Sequence, residues 1–257
     1  MRGRENQPVA EPLDALTGVG TEWWSRVVEG FSRVPAVDPD PAILLAVAAV
    51  AALLSIPRPI WRWFGLFVTF VHELGHAFAA AATGQRVKGI RLRFDHSGEM
   101  RSLGRGGFPA AWAGFWGYPV PAVVGMLLVL SAFNGWAGAA LSAGALILLA
   151  ALLFIRNAQG FLIAVGCAGV SVLLVWFAAP PAAGYVAMCT GIALLVGAAR
   201  DWFNVVSVHT GRRRNLESSD AFILYRRTGI PAPVWLTGFA VVIAASAAAA
   251  VMAALPA

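Results

Sequence analysis

Hydrophobic residues along the chain form long, nearly continuous runs rather than the short alternating patterns of a soluble domain. Each run approaches the roughly 20 apolar residues that an α-helix needs to cross the hydrocarbon core of a bilayer. Seven candidate spans follow from this pattern: Pro41–Ile56, Pro59–Thr83, Ala110–Phe133, Trp136–Ile155, Ala158–Ala178, Ala182–Ala199 and Pro233–Leu255. The pattern predicts an all-α polytopic membrane protein with about seven transmembrane helices.

One stretch after the second span departs from the helical pattern. Apolar and basic residues alternate there, in the order Ile90, Arg91, Leu92, Arg93 and Phe94. A period of two is typical of a β-strand, and the following residues 95–98 (Asp-His-Ser-Gly) favour a turn. The sequence therefore predicts a small β-hairpin. Its edge is suited either to pairing with an extended substrate or to capping the helices at the cytoplasmic interface.

Composition supports the membrane assignment and excludes other classes. The chain is 59% hydrophobic and 12% charged, against about 45–50% and about 25% in soluble domains. Disordered chains need low hydrophobicity and high charge, so disorder is excluded. Cys167 and Cys189 both lie in apolar runs, so a disulfide-stapled secreted scaffold is excluded as well.

The net charge of +6 would suit nucleic-acid binding, but its distribution favours a bilayer. With the N-terminus in the cytoplasm, all of the 19 Lys and Arg residues except Arg58 and Arg62 fall in predicted cytoplasmic segments. This bias satisfies the positive-inside rule, so no nucleic-acid partner is needed to explain the charge. We expect a multi-pass protein of the plasma membrane with a cytoplasmic N-terminus.

The chain divides into two parts at the first span. Residues 1–40 form a cytoplasmic N-terminal segment, and residues 41–257 form the polytopic membrane domain. The segment contains apolar residues at helical spacing: Trp23, Trp24, Val27, Val28, Phe31 and Val34. This stripe predicts either an amphipathic helix lying on the membrane surface or a short helix packed on the cytoplasmic loops.

The second span carries the residues that indicate chemistry, in the sequence His72-Glu73-Leu-Gly-His76. Residues four apart share one helix face, so His72 and His76 can bind a single ion. Glu73 is placed to reach a water on that ion, which is the HExxH arrangement of two zinc ligands and a general base. Charged groups within a span are costly and usually functional, so a chance match is the weaker interpretation.

This motif and the stretches around it resemble the site-2-protease-type intramembrane zinc metallopeptidases, especially their compact actinobacterial and plant-related branch. The resemblance starts at Pro59 and rests on HELGH at 72–76, Thr83-Gly84, Gln85–Arg101, Gly117-Tyr118-Pro119 and Ser218–Ala221 before Pro231 and Trp235. It implies an intramembrane protease fold, with zinc and a water nucleophile within the bilayer. The substrate would be a segment of another membrane protein.

A zinc ion held by two histidines needs a third protein ligand, commonly a carboxylate. Asp201 ends the sixth span in the leaflet that contains His76, and we predict it as this ligand. The resembled family takes its aspartate from a later core helix, often as Leu-Asp-Gly, and this chain has no Asp-Gly pair. Asp220 and His209 are the alternatives. The pattern around Asp220 favours a helix N-cap, and His209, near three arginines, favours solvent or lipid headgroups.

Two further polar residues have plain structural interpretations. We expect His96 to be a turn residue of the hairpin. Asn157, at the cytoplasmic end of the fourth span, would either orient substrate or make a helix-end hydrogen bond.

Three functions compete at this point. The first is a zinc endopeptidase with His72, His76 and Asp201 as ligands and Glu73 as general base. The second is a catalytically inactive membrane protein that keeps a structural metal site as a binding or regulatory module. The third is a metal or proton transporter, which would need polar residues on several spans. The sequence does not indicate an oligomeric state.

Overall fold

The computed structural model describes the backbone of residues 12–255, apart from Arg105 and Arg212. Residues 1–11, where the predicted N-terminal segment begins, lie outside the described part. Within that part the chain forms ten α-helices and one two-stranded sheet. In chain order they are α1 (Pro12–Gly30), α2 (Pro41–Ser55), α3 (Arg58–Ala82), β1 (Arg86–Leu92), β2 (Gly98–Leu103), α4 (Phe108–Phe115), α5 (Pro119–Phe133), α6 (Ala137–Ala151), α7 (Ala158–Phe177), α8 (Ala182–Thr210), α9 (Asp220–Thr228) and α10 (Ala232–Ala254).

The predicted all-α membrane architecture is present, but the count of seven spans is not confirmed. In the described part, five helices are long and apolar enough to cross a bilayer: α3, α6 with its 3-10 extension Leu152–Phe154, α7, α8 and α10. The α4–α5 pair adds a sixth candidate if its two helices form one span. Helix α2 has 15 residues and is therefore about 22 Å long, which is shorter than the roughly 30 Å hydrocarbon core.

The third predicted span is broken where its glycine and prolines lie. Helix α4 ends at Phe115, helix α5 begins at Pro119, and their axes differ by 57°. Proline has no N–H to donate and is favoured in the first turn of a helix, so Pro119 starts a new helix instead of continuing α4. The break leaves the last carbonyl groups of α4 without partners inside that helix.

The predicted β-hairpin is confirmed. Strands β1 and β2 pair antiparallel, with Leu92 opposite Gly98 and Ile90 opposite Met100. The alternation works as expected, because Ile90 and Leu92 are buried while Arg91 between them is exposed. The buried face packs on α3, α6 and α7, in a cluster that includes Phe70 and Ala164.

The hairpin turn reaches back along α3. His96 adopts a positive φ of 65° in the turn, as a polar turn residue can. Its Nε2 donates a hydrogen bond to the carbonyl of Arg62 at 3.1 Å, and its ring meets the edge of Trp61. The hairpin therefore lies along α3 instead of projecting away from the helices.

The N-terminal helix α1 packs on the helix bundle. Val27 is buried, and the Trp23 indole donates to the carbonyl of Val172 in α7 at 3.4 Å. Trp24 and Val28 remain exposed on another face. Helix α1 thus combines a packed face with an exposed apolar face.

Backbone hydrogen bonds place the segment after α1 at the end of the bundle opposite the hairpin. The Val34 N–H donates to the Gly135 carbonyl at 3.0 Å, just before α6 begins. The Arg156 N–H, beyond the other end of α6, donates to the Ile90 carbonyl in β1 at 2.9 Å. Val34 and Ile90 therefore lie at opposite ends of α6.

This placement differs from the predicted topology, which put residues 1–40 and the hairpin together on the cytoplasmic side. The prediction counted Pro41–Ile56 and Pro59–Thr83 as two full crossings. The observed contacts require an odd number of crossings between residue 34 and the hairpin. Helices α2 and α3 together therefore lead the chain from one end of the bundle to the other.

Candidate metal centre and active site

Helix α3 presents His72, Glu73 and His76 at one point in the protein interior. The Nε2 atoms of His72 and His76 are 3.1 Å apart, as the spacing of four residues on one helix face allows. Ligand atoms of all three residues lie within 4.8 Å of one another. Glu73 and His76 are buried, and His72 is half-buried.

Asp220 joins the two histidines from α9. Its Oδ2 lies 3.1 Å from the Nε2 of His72 and 3.2 Å from the Nε2 of His76. The expectation that Asp220 caps a helix is wrong, because the N-cap of α9 is Ser219, whose Oγ accepts from the Phe222 N–H. The Asp220 carboxylate, at the first helical position, is therefore free to reach the histidines.

Asp201, the ligand that we predicted from the sequence, lies elsewhere in the site. It lines the same cleft as His72, but within the described residues no ion pair joins it to either histidine. The structure thus brings Asp220, and not Asp201, to the two imidazoles. The sequence at 218–221 is also compatible with this position of Asp220. Ser219 is as good an N-cap residue as Asp220, and a cap at Ser219 leaves the Asp220 carboxylate free for other contacts.

His209 has a role that the sequence did not suggest. Its Nε2 is hydrogen-bonded to the Ser219 Oγ at 2.8 Å, so it ties the end of α8 to the start of α9. It contacts neither His72 nor His76 among the described contacts. We expected it to face solvent or lipid headgroups, and the contact with Ser219 instead places it beside the loop that delivers Asp220.

The three donor atoms suit a zinc ion. Zinc bonds of about 2.0–2.2 Å in tetrahedral geometry separate neighbouring ligand atoms by about 3.3 Å. The observed separations among His72, His76 and Asp220 are 3.1, 3.1 and 3.2 Å. Two imidazoles and one carboxylate form the donor set of many catalytic zinc sites, which keep a fourth position for water.

Backbone around the break between α4 and α5 completes this site. The Nδ1 of His76 donates to the Ala113 carbonyl at 2.7 Å, one of the carbonyls that the early end of α4 leaves free. This bond orients the ring so that its Nε2 faces Asp220 and His72, as in other metal-binding histidines. A Cβ at Gly117 would collide with both Nε2 atoms, so only glycine fits there.

The ionised form of Asp220 is strongly favoured. Burial alone would raise the pKa of this carboxyl group. The charge on His76 and the hydrogen bonds from both histidines outweigh burial and hold the pKa well below its usual range. The site thus offers a charged oxygen ligand, which a divalent cation needs.

Glu73 lies beside the triad with an uncommitted oxygen. Its side chain is only 4% exposed, and its Oε2 has no hydrogen-bond partner. Burying a carboxylate without partners is costly, and such groups usually mark function. Across from it, a Cβ at Gly98 would collide with the Glu73 carboxylate, so the hairpin backbone approaches this side chain closely.

The model of the peptidase M50B-like family matches residues 44–250, which is most of the chain. The chain belongs to the peptidase M50B-like family. No curated protein and no solved structure shows a significant match to it. The match supports the site-2-protease resemblance drawn from the sequence, and it identifies a membrane metallopeptidase family.

Two clefts meet at the metal centre of this M50B-like peptidase. The first, of about 840 Å³, separates α3 from α8 and is lined by Asp201, Asn204 and Ser207 at helical spacing. The second, of about 900 Å³, lies between the hairpin, α4 and α9. Glu73 and Asp220 line both clefts, so the centre can be reached from two sides.

From Ile90 onwards the outer edge of strand β1 is occupied by hydrogen-bond partners. Asn157 accepts from the Leu92 N–H at 3.2 Å and donates to the Leu92 carbonyl at 2.7 Å. Ile90 is bonded to Arg156, and the Phe94 N–H donates to Gln159. Asn157 makes no cap hydrogen bond to its own helix, so its observed role is to hold β1 in place.

Strand β2, in contrast, leaves its outer edge open. The bond from the Arg93 N–H to the Ser97 carbonyl sets the alternation of the ladder, so the backbone groups of Gly98 and Met100 point away from β1. Among the described residues, none outside the hairpin hydrogen-bonds to these groups. The open edge faces the second cleft, which also contains Glu73.

Proposed function

We propose that the protein is a zinc-dependent intramembrane endopeptidase that hydrolyses peptide bonds in or near transmembrane segments of other membrane proteins. The observation that carries the proposal is the buried, unpartnered carboxylate oxygen of Glu73 beside the His72–His76–Asp220 triad. A purely structural metal site is closed by its ligands and needs no such group.

His72, His76 and Asp220 would hold Zn²⁺. The ion, when bound, supplies Lewis-acid polarisation and lowers the pKa of a bound water towards about 7. Asp201 is not part of this ligand set, and it contributes polarity to the first cleft, together with Asn204.

Glu73 acts as the general base. Its free Oε2 accepts a proton from the attacking water and later donates it to the nitrogen of the leaving amine. Because this oxygen has no hydrogen-bond partner, it is available for both transfers. Gly98 keeps the hairpin backbone close to this carboxylate, which confines the space in which a substrate carbonyl can lie.

The open edge of β2 binds the substrate as an added strand. A transmembrane helix has every backbone group bonded internally, so its peptide bonds must be unwound before water can attack. The outward groups of Gly98 and Met100 replace some of the hydrogen bonds that unwinding breaks. Because Gly98 lies against Glu73, a strand paired there brings its carbonyl groups to the metal centre.

The hairpin end of the molecule faces the cytoplasm. The described part of that end contains Lys88, Arg91, Arg156 and Arg226, and the positive-inside rule places such clusters in the cytoplasm. Helix α1 and residues 31–40 are then on the opposite side of a plasma membrane. The partners are the lipid bilayer and a membrane-protein substrate, with no nucleic acid.

Purified protein reconstituted with a single-span substrate tests the proposal. We expect about one zinc per chain in the wild type and in Glu73→Gln, with cleavage in the wild type and a loss of at least about 100-fold in the variant. Zinc binding without any cleavage that depends on Glu73 would favour the inactive binding module. Absence of zinc from the wild type would refute the proposal.

A further inference from the structure

The second cleft has a strongly cationic wall. Five basic side chains line it: Lys88, Arg91, Arg93, Arg101 and Arg227. Apart from the two carboxylates of the metal centre, the acidic residues lining this cleft are Asp95 and Glu99. Within the described side chains, the one ion pair among these groups joins Arg101 to Glu99, at 2.8 Å. The wall therefore has an excess of positive charge.

These charges lie along the proposed substrate path. In β2, Glu99 and Arg101 point to the exposed face, opposite to the face that packs on α3. A strand added to β2 places its own side chains beside them, at the distance of cross-strand neighbours. Arg101 is three residues from Gly98, which corresponds to about 10 Å along the strand.

Arg227 approaches the same path from the other wall. It lies on the exposed side of α9, seven residues after Asp220, and lines the second cleft together with Asp220. A substrate strand in this cleft thus passes between arginines on the hairpin and an arginine on α9. Lysine or arginine on the strand would be repelled from both walls.

We propose that the peptidase selects substrates with an acidic side chain two to four residues from the scissile bond. This side chain lies on the part of the substrate strand that pairs with β2 beyond Gly98, towards Leu103 at the base of the hairpin. Arg101 and Arg227 are the specificity-determining residues. This inference rests on the proposed function, because it concerns the substrate of the same site. An acidic residue at that place forms opposite-charge pairs across the added strand, whereas a basic one forms like-charge pairs.

The test uses reconstituted full-length protein and single-span substrates whose cleavage site is mapped by mass spectrometry. Glu, Gln or Lys is placed at each of the positions two to four residues from the bond, on either side. We expect kcat/KM to be at least about threefold higher for the Glu substrate than for the Lys substrate. This difference should occur on only one side of the scissile bond, the side that pairs with β2 towards the base of the hairpin. The preference should shrink at high ionic strength, because the charges are exposed.

Substitutions in the cationic wall test which of its residues cause the preference for Glu. Arg101→Glu and Arg227→Gln should reduce the preference for Glu, and Arg101→Glu should cleave the Lys substrate faster than the wild type does. Arg58→Glu is the matched control, since Arg58 is exposed and lines neither cleft. It makes the same change in charge and should leave the preference intact.

Lipid composition separates substrate selection from attraction of anionic headgroups. The preference should persist in vesicles of phosphatidylcholine alone. A preference that appears only with anionic lipid would overturn the inference, as would equal cleavage of Glu and Lys substrates. Equal cleavage leaves the proposed peptidase function standing, whereas no cleavage of any substrate would overturn both.

Discussion

Asparagine substitutions at Asp220 and Asp201 distinguish the two candidate ligands. Each change removes one negative charge and keeps the size of the side chain. We expect Asp220→Asn to lose zinc and Asp201→Asn to keep it. The reason is geometric, because the Asp220 Oδ2 lies 3.1 and 3.2 Å from the two Nε2 atoms, while no described ion pair connects Asp201 to them.

The size of the effect follows from the position of each carboxylate. Loss of an outer-shell partner typically lowers metal affinity 10–100-fold. In the proposed site Asp220 is one of three direct donors and the only anionic one, so its loss should lower zinc affinity by more than about 100-fold, or about 2.7 kcal/mol. Asp201 acts only through its charge across the first cleft, and we expect an effect below about tenfold.

Competition with a chromophoric zinc chelator in detergent measures both affinities. Asp220→Glu serves as a second variant, since it keeps the charge and should retain more zinc than Asp220→Asn does. Thermal unfolding with and without zinc shows whether each variant is folded: zinc should stabilise the wild type and Asp201→Asn, but hardly Asp220→Asn. If Asp201→Asn loses zinc and Asp220→Asn retains it, the ligand assignment is refuted.

Three further predictions test the surroundings of the site. Gly117→Ala places a Cβ against both histidines and should abolish zinc binding. Gly144→Ala is the control, because a Cβ there has no neighbour within 4 Å, and it should keep its zinc. Equal zinc content in the two variants would contradict the observed packing. Asn157→Ala removes two hydrogen bonds to Leu92 and should raise hydrogen exchange of that amide by about tenfold, with cleavage reduced and zinc retained. In a variant lacking the native cysteines, Val19→Cys and Glu99→Cys should react with impermeant maleimide from opposite sides of sealed vesicles; labelling from one side would restore the topology expected from the sequence.

The parts of the site that could be predicted are those that local spacing determines. His72 and His76 share a face because four residues make about one helical turn, whatever surrounds the helix. The hairpin was visible because its alternation of apolar and basic residues has a period of two. Both features depend on neighbours in the chain, so tertiary packing did not need to be known.

The carboxylate that lies against the two histidines could not be predicted, because its position depends on tertiary structure and on one ambiguous helix cap. Ser219 and Asp220 are both good N-cap residues, and moving the start of α9 by one position decides which carboxylate is free. The placement of residues 31–40 at the end opposite the hairpin could not be predicted for another reason. The apolar pattern predicts one complete crossing for each run, whereas α2 and α3 together lead from one end of the bundle to the other.

The departures from regular spanning helices are also what builds the site. The early end of α4 frees the Ala113 carbonyl that orients His76, and the break supplies Gly117, where no side chain fits. The hairpin that interrupts the helical pattern brings Gly98 to Glu73. Irregular backbone at membrane depth is tolerated only where protein buries it or where it lines a cavity. The same interruptions that complicated the span count therefore lie at the polar clefts of this protein.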